Sequence, residues 1–225
     1  MEHPFTDRFA AGAALARLLE RYAGRFDLLV LALPRGGVPV AYAIARALDA
    51  PLEVFLVRKL GVPGQEELAM GAIASGDILV RNESVIDALQ VPEAIIATVA
   101  QAEGEELRRR ERIYRAGRPA PDVANRTVLL VDDGLATGAS LRAAIAALRR
   151  QQPAHLVAAV PVGAPETCEE LRALVDEMVC AITPHRLGAI GYWYEDFSQL
   201  TDEEVCALLA RAAQEYAAEH PGPSS

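Results

Sequence analysis

Residues 128–140, VLLVDDGLATGAS, carry two different structural signals within thirteen positions. Four apolar residues lead into adjacent carboxylates, Asp132 and Asp133, and a run of small residues with two hydroxyls follows. A short, fully apolar run is typical of a buried strand, and a turn of small residues lets backbone N–H groups converge at the start of the next helix. The pattern therefore predicts a strand, an anion-binding turn and a helix in direct succession.

The chemistry of this turn favours a phosphorylated sugar. Thr137 and Ser140 add hydroxyl donors to the converging N–H groups, which makes a phosphate cradle. Two carboxylates beside it suit sugar hydroxyls, which donate hydrogen bonds, or a hydrated Mg²⁺. A capped turn with an ordinary strand-end Asp explains one carboxylate and one glycine, but not the pair and the donor-rich turn. Together these groups describe a site for a ribose 5-phosphate.

Composition excludes several classes of protein. The chain has 225 residues, 52% of them hydrophobic, and a net charge of −9, which gives no general attraction to nucleic acid or anionic membranes. Its three cysteines have no metal-ligand spacing, and no signal segment or membrane-spanning apolar run is present. We therefore expect a cytoplasmic protein with reduced cysteines. The chain has a single lysine, Lys59, among 22 basic residues.

Apolar strands alternate with helical patterns along the chain, which predicts an α/β fold. The sheet should be doubly wound and mainly parallel, with helices on both faces, in a single domain over residues 1–220 followed by a disordered tail at 221–225. Predicted strands cover 27–33, 52–57, 127–131, 155–160 and 178–182, and a hairpin covers 71–80 with its turn at 75–77. Predicted helices cover 7–22, 38–49, 92–116, 139–150, 166–176 and 202–217.

Three loops follow predicted strands and should lie at one edge of the sheet, where such folds bind ligands. They are PRGG at 34–37, RKLGVPGQEE at 58–67 and DDGLATGAS at 132–140. Glycines in the first loop permit backbone N–H groups to face an anion, and Arg35 offers a forked donor set. Taken alone, this loop is equally consistent with a plain strand-to-helix turn.

VLLVDDGLATGAS resembles the phosphoribosyl-diphosphate (PRPP) signature of the type I phosphoribosyltransferases, and the order of the other loops is similar over residues 8–200. The nearest likeness is to an uncharacterised bacterial branch with LPRGG and VRKLG-x-PGQEE motifs. The resemblance implies an α/β fold with a mobile loop or hairpin and a small hood. It also implies transfer of a phosphoribosyl group from Mg²⁺-bound PRPP to a nitrogen of a nucleobase or related heterocycle, with release of pyrophosphate.

The resemblance assigns roles to the residues of the signature and of the first loop. Asp132 and Asp133 would hold the ribose hydroxyls and are candidate ligands of Mg²⁺, which otherwise arrives with PRPP. The pyrophosphate would lie at Arg35, Gly36 and Gly37, with Arg35 also catalytic. The 5-phosphate would be bound by Leu135, Ala136, Thr137, Gly138, Ala139 and Ser140.

RKLGVPGQEE resembles the mobile catalytic loop of the family, which implies catalytic roles for Arg58 and Lys59. Departure of pyrophosphate develops negative charge that cations can stabilise, and loop closure excludes water. A solvated surface loop is the alternative. A chain that uses arginine almost everywhere keeps its lysine here, and the two cations are not equivalent, which favours the catalytic interpretation.

Two further segments have competing interpretations. The aromatic segment, GYWYEDF at 191–197, resembles the hood region that stacks bases in the purine enzymes, which makes Tyr192 and Trp193 candidate base-binding residues; packing at the edge of the core explains it equally well. The arginine-rich stretch 103–118 offers pairs four residues apart with the glutamate first, so a solvated helix is favoured over nucleic-acid binding.

The acceptor stays open. Where the 6-oxopurine enzymes have an acidic residue this chain has Ala136, and VPVG at 160–163 supplies no cation. The expected partners are PRPP and a small nitrogenous acceptor, with no nucleic acid and no membrane, and a homodimer is one expectation for the assembly. A catalytically weak PRPP- or nucleotide-sensing module on the same fold is the alternative, although no DNA-binding motif accompanies the domain. No Gly-x-Ser-x-Gly elbow supports a hydrolase.

Overall fold

The computed structural model of the protein describes residues 4–220 and contains two sheets. The larger has five parallel strands in the order β2-β1-β6-β7-β8, and the smaller has three antiparallel strands in the order β3-β4-β5. The strands are β1 (Leu28–Ala32), β2 (Leu52–Val54), β3 (Val57–Val62), β4 (Gln65–Ala74), β5 (Ile78–Arg81), β6 (Thr127–Val131), β7 (His155–Val162) and β8 (Glu177–Ile182).

Seven α-helices accompany these strands within the described residues. They are α1 (Arg8–Leu18), α2 (Gly37–Leu48), α3 (Glu83–Leu89), α4 (Glu93–Arg115), α5 (Ala139–Arg150), α6 (Pro165–Arg172) and α7 (Asp202–Glu219). Local signals set several of their ends. The Asp7 carboxylate accepts the Ala10 N–H at the start of α1, and Thr201 and Glu204 form a capping box at the start of α7.

The parallel sheet is covered on both faces, as the sequence predicts. On one face α1, α2, α4 and α7 contribute to a core that includes Leu15, Ile44 and Leu209. On the other face α5 and α6 contribute Leu141, Ile145 and other apolar residues to a second core. Both central strands, β1 and β6, are buried at every position. The predicted doubly wound α/β architecture is confirmed.

The region after β2 differs from its prediction. The strand predicted at 52–57 ends at Val54, and Val57 already belongs to the antiparallel sheet. Residues 58–67, predicted to be a loop, lie mostly in β3 and the start of β4. The predicted hairpin turn at 75–77 is present between β4 and β5, and the short helix α3 is not predicted from the sequence. Elsewhere the elements differ from their predictions mainly at the ends; the largest shifts are in α1, which stops at Leu18, and in α6, which stops at Arg172, each four residues before the predicted end.

Charged side chains on α4 form ion pairs with one another, as expected for a solvated helix. Glu106 accepts hydrogen bonds from both Arg109 and Arg110, and Glu111 accepts one from Arg115. Glu105 and Arg109 are one of the pairs four residues apart in the stretch 103–118, but they share no described ion pair, because Arg109 binds Glu106 instead.

No helix within residues 4–220 has the length and apolar content required to cross a membrane. The predicted tail, 221–225, lies outside the described residues, as do the first three residues of the predicted domain.

Candidate functional site

The two central strands end side by side at the carboxyl edge of the parallel sheet. Ala32 of β1 is opposite Val131 of β6, and the Leu33 N–H donates to the Val131 carbonyl over 2.9 Å. From this point α2 passes to one face of the sheet and α5 to the other. The gap between β1 and β6 is therefore the topological switch point, where doubly wound sheets bind their ligands.

Asp132 and Asp133 lie at this switch point, directly after β6. The Asp133 N–H donates to Oδ1 of Asp132 over 2.9 Å, and Arg8 donates through Nε to Oδ2 of Asp133 over 2.9 Å. Tyr194 holds the main chain by donating its hydroxyl to the Asp133 carbonyl over 2.6 Å. The second oxygen of each carboxylate makes no hydrogen bond within residues 4–220, so two acceptors remain for a ligand.

Burial raises the pKa of both carboxyl groups above the usual aspartate range. The negative charge of Asp133 raises the pKa of Asp132 further, whereas the hydrogen bond and charge of Arg8 oppose the rise at Asp133. Two adjacent, poorly compensated carboxylates are unfavourable for the fold alone and are typical of a functional site.

One side of the turn after the carboxylates is packed against the protein, and its other side is exposed. Leu135 is buried, its N–H donates to the Val162 carbonyl, and its own carbonyl accepts from the Ala164 N–H. Thr167 donates its hydroxyl to the Ala136 carbonyl over 2.9 Å. Gly138 precedes α5 with a φ of 72°, a left-handed conformation that glycine adopts without a steric penalty.

The open side of the turn presents unused donors. The N–H groups of residues 136–140 have no backbone acceptor among residues 4–220, as expected at a helix amino end. The side chains of Ala136, Thr137, Ala139 and Ser140 are all exposed. Leu135 contributes by anchoring the turn, because its side chain points into the core.

The PRGG loop packs directly against the carboxylates. A Cβ added to Gly36 would lie 1.9 Å from Oδ2 of Asp133, so no larger residue fits here without displacing the carboxylate. The N–H groups of Gly37 and Val38 bond to carbonyls within the same turn, while those of Arg35 and Gly36 have no backbone acceptor in the described chain. The side chain of Arg35 is 47% exposed and lies 3.9 Å from Asp202 at the start of α7.

Arg58 and Lys59 lie on β3, in the hairpin that β3 forms with β4. Arg58 forms an ion pair with Glu103 of α4. Lys59 lies opposite Ala72 of β4 and lines a surface cavity with Val99 and Glu103. The hairpin thus packs against α4. The described hydrogen bond and ion pair of Arg58 are with Glu103 of this helix, and not with Asp132 or Asp133.

The aromatic segment lies next to the carboxylates and to the turn that follows them. Ile190, just before it, packs against Gly134 of the turn. Trp193 is half-buried and donates its indole N–H to the Leu187 carbonyl, whereas Tyr192 is 71% exposed. The structure thus brings the segment next to the turn, with Tyr192 facing solvent and Trp193 partly packed.

A family model described as the phosphoribosyl transferase domain matches residues 6–196, a range that includes the carboxylates, the turn and both flanking loops. The chain belongs to this family.

Relatives agree with this assignment to the phosphoribosyl transferases. A Mycobacterium tuberculosis H37Rv protein, provisionally assigned as a phosphoribosyl transferase, is 41% identical over 213 residues, which are 95% of this chain and 48% of the relative. The chain thus spans about half the length of that protein. A uracil phosphoribosyltransferase of Lactobacillus gasseri is 32% identical over 174 residues, covering 74% of this chain and 80% of the relative.

A solved structure shows the same fold. The protein, from Thermus thermophilus, is 42% identical to this chain and matches it with a TM-score of 0.83, over 92% of this chain and 98% of that one.

The two carboxylates of this phosphoribosyl transferase domain could supply part of the coordination of a magnesium ion. Among residues 4–220, no group of three or more His, Cys, Asp or Glu side chains is placed to hold a metal. Asp132 and Asp133 offer two free oxygens, and Mg²⁺ takes six oxygen ligands. The remaining ligands would have to come from substrate and water.

Two residues that hold the signature in place, Arg8 and Tyr194, are not predicted from the sequence. Arg8 is 125 positions from its partner Asp133, so no local spacing could reveal the pair. Tyr194 lies inside the aromatic segment, yet its buried ring and its bond to the Asp133 carbonyl distinguish it from its neighbours.

Proposed function

We propose that the protein transfers the phosphoribosyl group of PRPP to a nitrogen of a nucleobase or related heterocycle. The bond from C1′ to the pyrophosphate oxygen breaks and a bond from C1′ to the acceptor nitrogen forms. The acceptor loses a proton, and pyrophosphate leaves with the bonding electrons.

One observation carries this proposal: two carboxylates and a row of unused N–H donors meet at the switch point of the sheet. The free oxygens of Asp132 and Asp133 suit the two ribose hydroxyls, which donate hydrogen bonds. The N–H groups of residues 136–140, with the hydroxyls of Thr137 and Ser140, suit the 5-phosphate at the positive end of α5.

The pyrophosphate end would be served by the PRGG loop and the hairpin. Gly36 lies against Asp133, and the N–H groups of Arg35 and Gly36, which have no backbone acceptor in the described chain, would face a diphosphate that extends from C1′. Arg58 and Lys59 would supply positive charge as the leaving group separates, after the hairpin moves away from α4. Magnesium, bound through PRPP oxygens and one or both aspartates, would neutralise part of the pyrophosphate charge.

The acceptor would lie between the turn and the aromatic segment, against Tyr192 or Trp193. The Lactobacillus gasseri relative is named for uracil, and it aligns with 74% of this chain. A pyrimidine that loses a ring N–H proton therefore heads the set of acceptors to test.

The decisive experiment measures pyrophosphate release from PRPP and Mg²⁺ with a panel of bases, and identifies each product by mass. Binding of PRPP is measured by titration calorimetry in the same buffer. We expect Asp133→Asn to weaken PRPP binding by about 10-fold or more, because it removes a charged acceptor for a hydroxyl. Asp27→Asn is the matched control, since Asp27 pairs with Arg25 at the opposite end of β1. Equal PRPP affinity in the wild type and Asp133→Asn would contradict the site.

A PRPP- or nucleotide-sensing module is the second candidate. The observation in its favour is the ion pair of Arg58 with Glu103, which leaves this cation on α4 rather than at the carboxylates. A sensor would bind PRPP or a nucleotide without releasing pyrophosphate for any base. The same two measurements therefore separate the candidates.

A further inference from the structure

Arg8 is held in a three-way contact at the edge of the candidate site. Its Nε donates to Asp133 over 2.9 Å, its Nη1 donates to the Ser198 carbonyl over 3.0 Å, and its guanidinium lies 3.9 Å from the centre of the Phe197 ring. The side chain is only 11% exposed. A lysine could provide the charge, but not the planar stack together with two directed hydrogen bonds.

The same contact joins Asp133 to the aromatic segment. Phe197 stacks on Tyr194 with ring centres 4.9 Å apart, and Tyr194 holds the Asp133 carbonyl. Asp133 thus accepts two hydrogen bonds, one at its main-chain carbonyl from Tyr194 and one at its carboxylate from Arg8. The chain before α1 is attached to the same segment, because the Phe5 N–H donates to the Trp193 carbonyl and the Glu195 N–H to the Phe5 carbonyl.

We infer that Arg8 is a positioning residue that fixes one oxygen of Asp133, so that the other faces the ribose hydroxyls of PRPP, and that it couples this oxygen to the aromatic segment. The inference rests on the proposed function. Gly36 packs against the same oxygen, since a Cβ at that position would lie 1.9 Å from Oδ2 of Asp133, so this end of the carboxylate is enclosed by Arg8 and by Gly36. Loss of the guanidinium would allow the carboxylate to rotate or to bind water in place of ligand.

A purely structural ion pair is the competing explanation, and the chain contains a second arginine–aspartate pair for comparison. Arg25 binds Asp27 over 2.9 Å at the amino end of β1, remote from the carboxyl edge of the sheet. Arg25→Gln removes an arginine from an aspartate as Arg8→Gln does, but it leaves the candidate site untouched.

The test measures the PRPP affinity of the full chain by titration calorimetry with Mg²⁺, together with the midpoint of thermal unfolding. We expect Arg8→Gln to weaken PRPP binding about 30-fold, since truncating one partner of a desolvated charge pair is costly. Arg8→Lys should recover part of this loss, and Arg25→Gln should bind PRPP within about twofold of the wild type. If Arg8→Gln does not fold, Arg8→Lys alone should still show a clear loss.

A double-mutant cycle separates positioning from general stability. In an Asp133→Asn background, Arg8→Gln should cause little further loss of PRPP affinity, because its effect passes through the carboxylate. Additive losses, or wild-type affinity in Arg8→Gln, would overturn the inference. A wild-type protein that does not bind PRPP would instead refute the proposed function, so the two failures are distinguishable.

Discussion

Asp132 and Asp27 show opposite environments for the same side chain at the two ends of the central strands. Burial and the neighbouring Asp133 raise the pKa of Asp132, whereas hydrogen bonds from Arg25 and Thr127 lower the pKa of Asp27 to about 2. A raised pKa means that the charged form is disfavoured in the folded state, and a lowered pKa means the reverse. The charge of Asp132 therefore opposes folding at neutral pH.

Asp132→Asn should raise the midpoint of thermal unfolding at pH 7.5 while it weakens PRPP binding. Asparagine keeps an oxygen that can accept the Asp133 N–H and removes the repulsion between the two carboxylates. A gain of about 1 kcal/mol would appear as about 2–4 °C in a domain of this size. Calorimetric unfolding and PRPP titration on the same sample provide both readouts. A lower midpoint would show that the carboxylate is compensated in the folded state.

Asp27→Asn should lower the midpoint, and its effect should depend on pH in a defined direction. Because the folded pKa is depressed, the stabilisation by Asp27 is fully present above pH 3.8 and is lost as the pH falls through about 2. The wild type and the variant should therefore differ in unfolding free energy at pH 6 and converge toward pH 2. A difference that persists at the acid end would assign the effect to the Thr127 hydrogen bond rather than to charge.

At the scale of elements, the position of the candidate catalytic cations depends on the hairpin of β3 and β4. This hairpin packs against α4. The Arg58–Glu103 pair is part-exposed, and such pairs contribute about 0.2–1 kcal/mol. A contact this weak can hold a hairpin in one position without preventing its departure.

Glu103→Gln should therefore lower the KM for PRPP or raise turnover, by about two- to fivefold, because it weakens the resting contact of Arg58. Steady-state pyrophosphate release measures the change. Glu106→Gln is the matched control, since Glu106 binds Arg109 and Arg110 on the same helix and makes no described contact with the hairpin. Equal kinetics in both variants would mean that the hairpin does not leave α4 during turnover.

Lys59→Ala should lower turnover more than it lowers PRPP affinity, because a cation at the leaving group matters most as the negative charge develops. Lys59→Arg should recover only part of the rate, since a guanidinium does not replace a compact ammonium. Arg112→Ala, at an exposed position near the end of α4, controls for loss of positive charge. Unchanged turnover in Lys59→Ala would leave this residue outside the mechanism.

The elements that the sequence predicted well are those whose signals are local. The apolar run before Asp132, the turn of small residues and the helix at 139–150 lie within one short segment, and the structure contains all three. The segment 58–67 was predicted as a loop because its strands depend on partners supplied by residues 65–81 and on packing against α4. Strand formation of this kind reflects context more than intrinsic preference.

At the scale of the whole molecule, topology determines which groups surround an acceptor. The carboxyl end of β7 lies next to the turn, because Leu135 pairs with Gly163 in a parallel bridge. Val160 and Val162 are buried there, and the Ala136 carbonyl already accepts from Thr167. This side of the turn thus exposes the methyl group of Ala136, and the buried side chains of Val160 and Val162 supply no hydrogen-bond donor to it.

Hypoxanthine and guanine should therefore be poor acceptors, and uracil should be better. A 6-oxopurine needs a donor for O6 and an acid or base near N7, which neither Ala136 nor residues 160–163 supply through a side chain. A polar group of the substrate that finds no hydrogen-bond donor in the site lowers kcat/KM strongly. We therefore expect kcat/KM for hypoxanthine and guanine to lie about 10³-fold or more below that for a pyrimidine acceptor. Pyrophosphate release with product masses for each base measures the ratio. Efficient formation of inosine or guanosine monophosphate would contradict the prediction and would assign recognition of O6 to main-chain N–H groups of the turn.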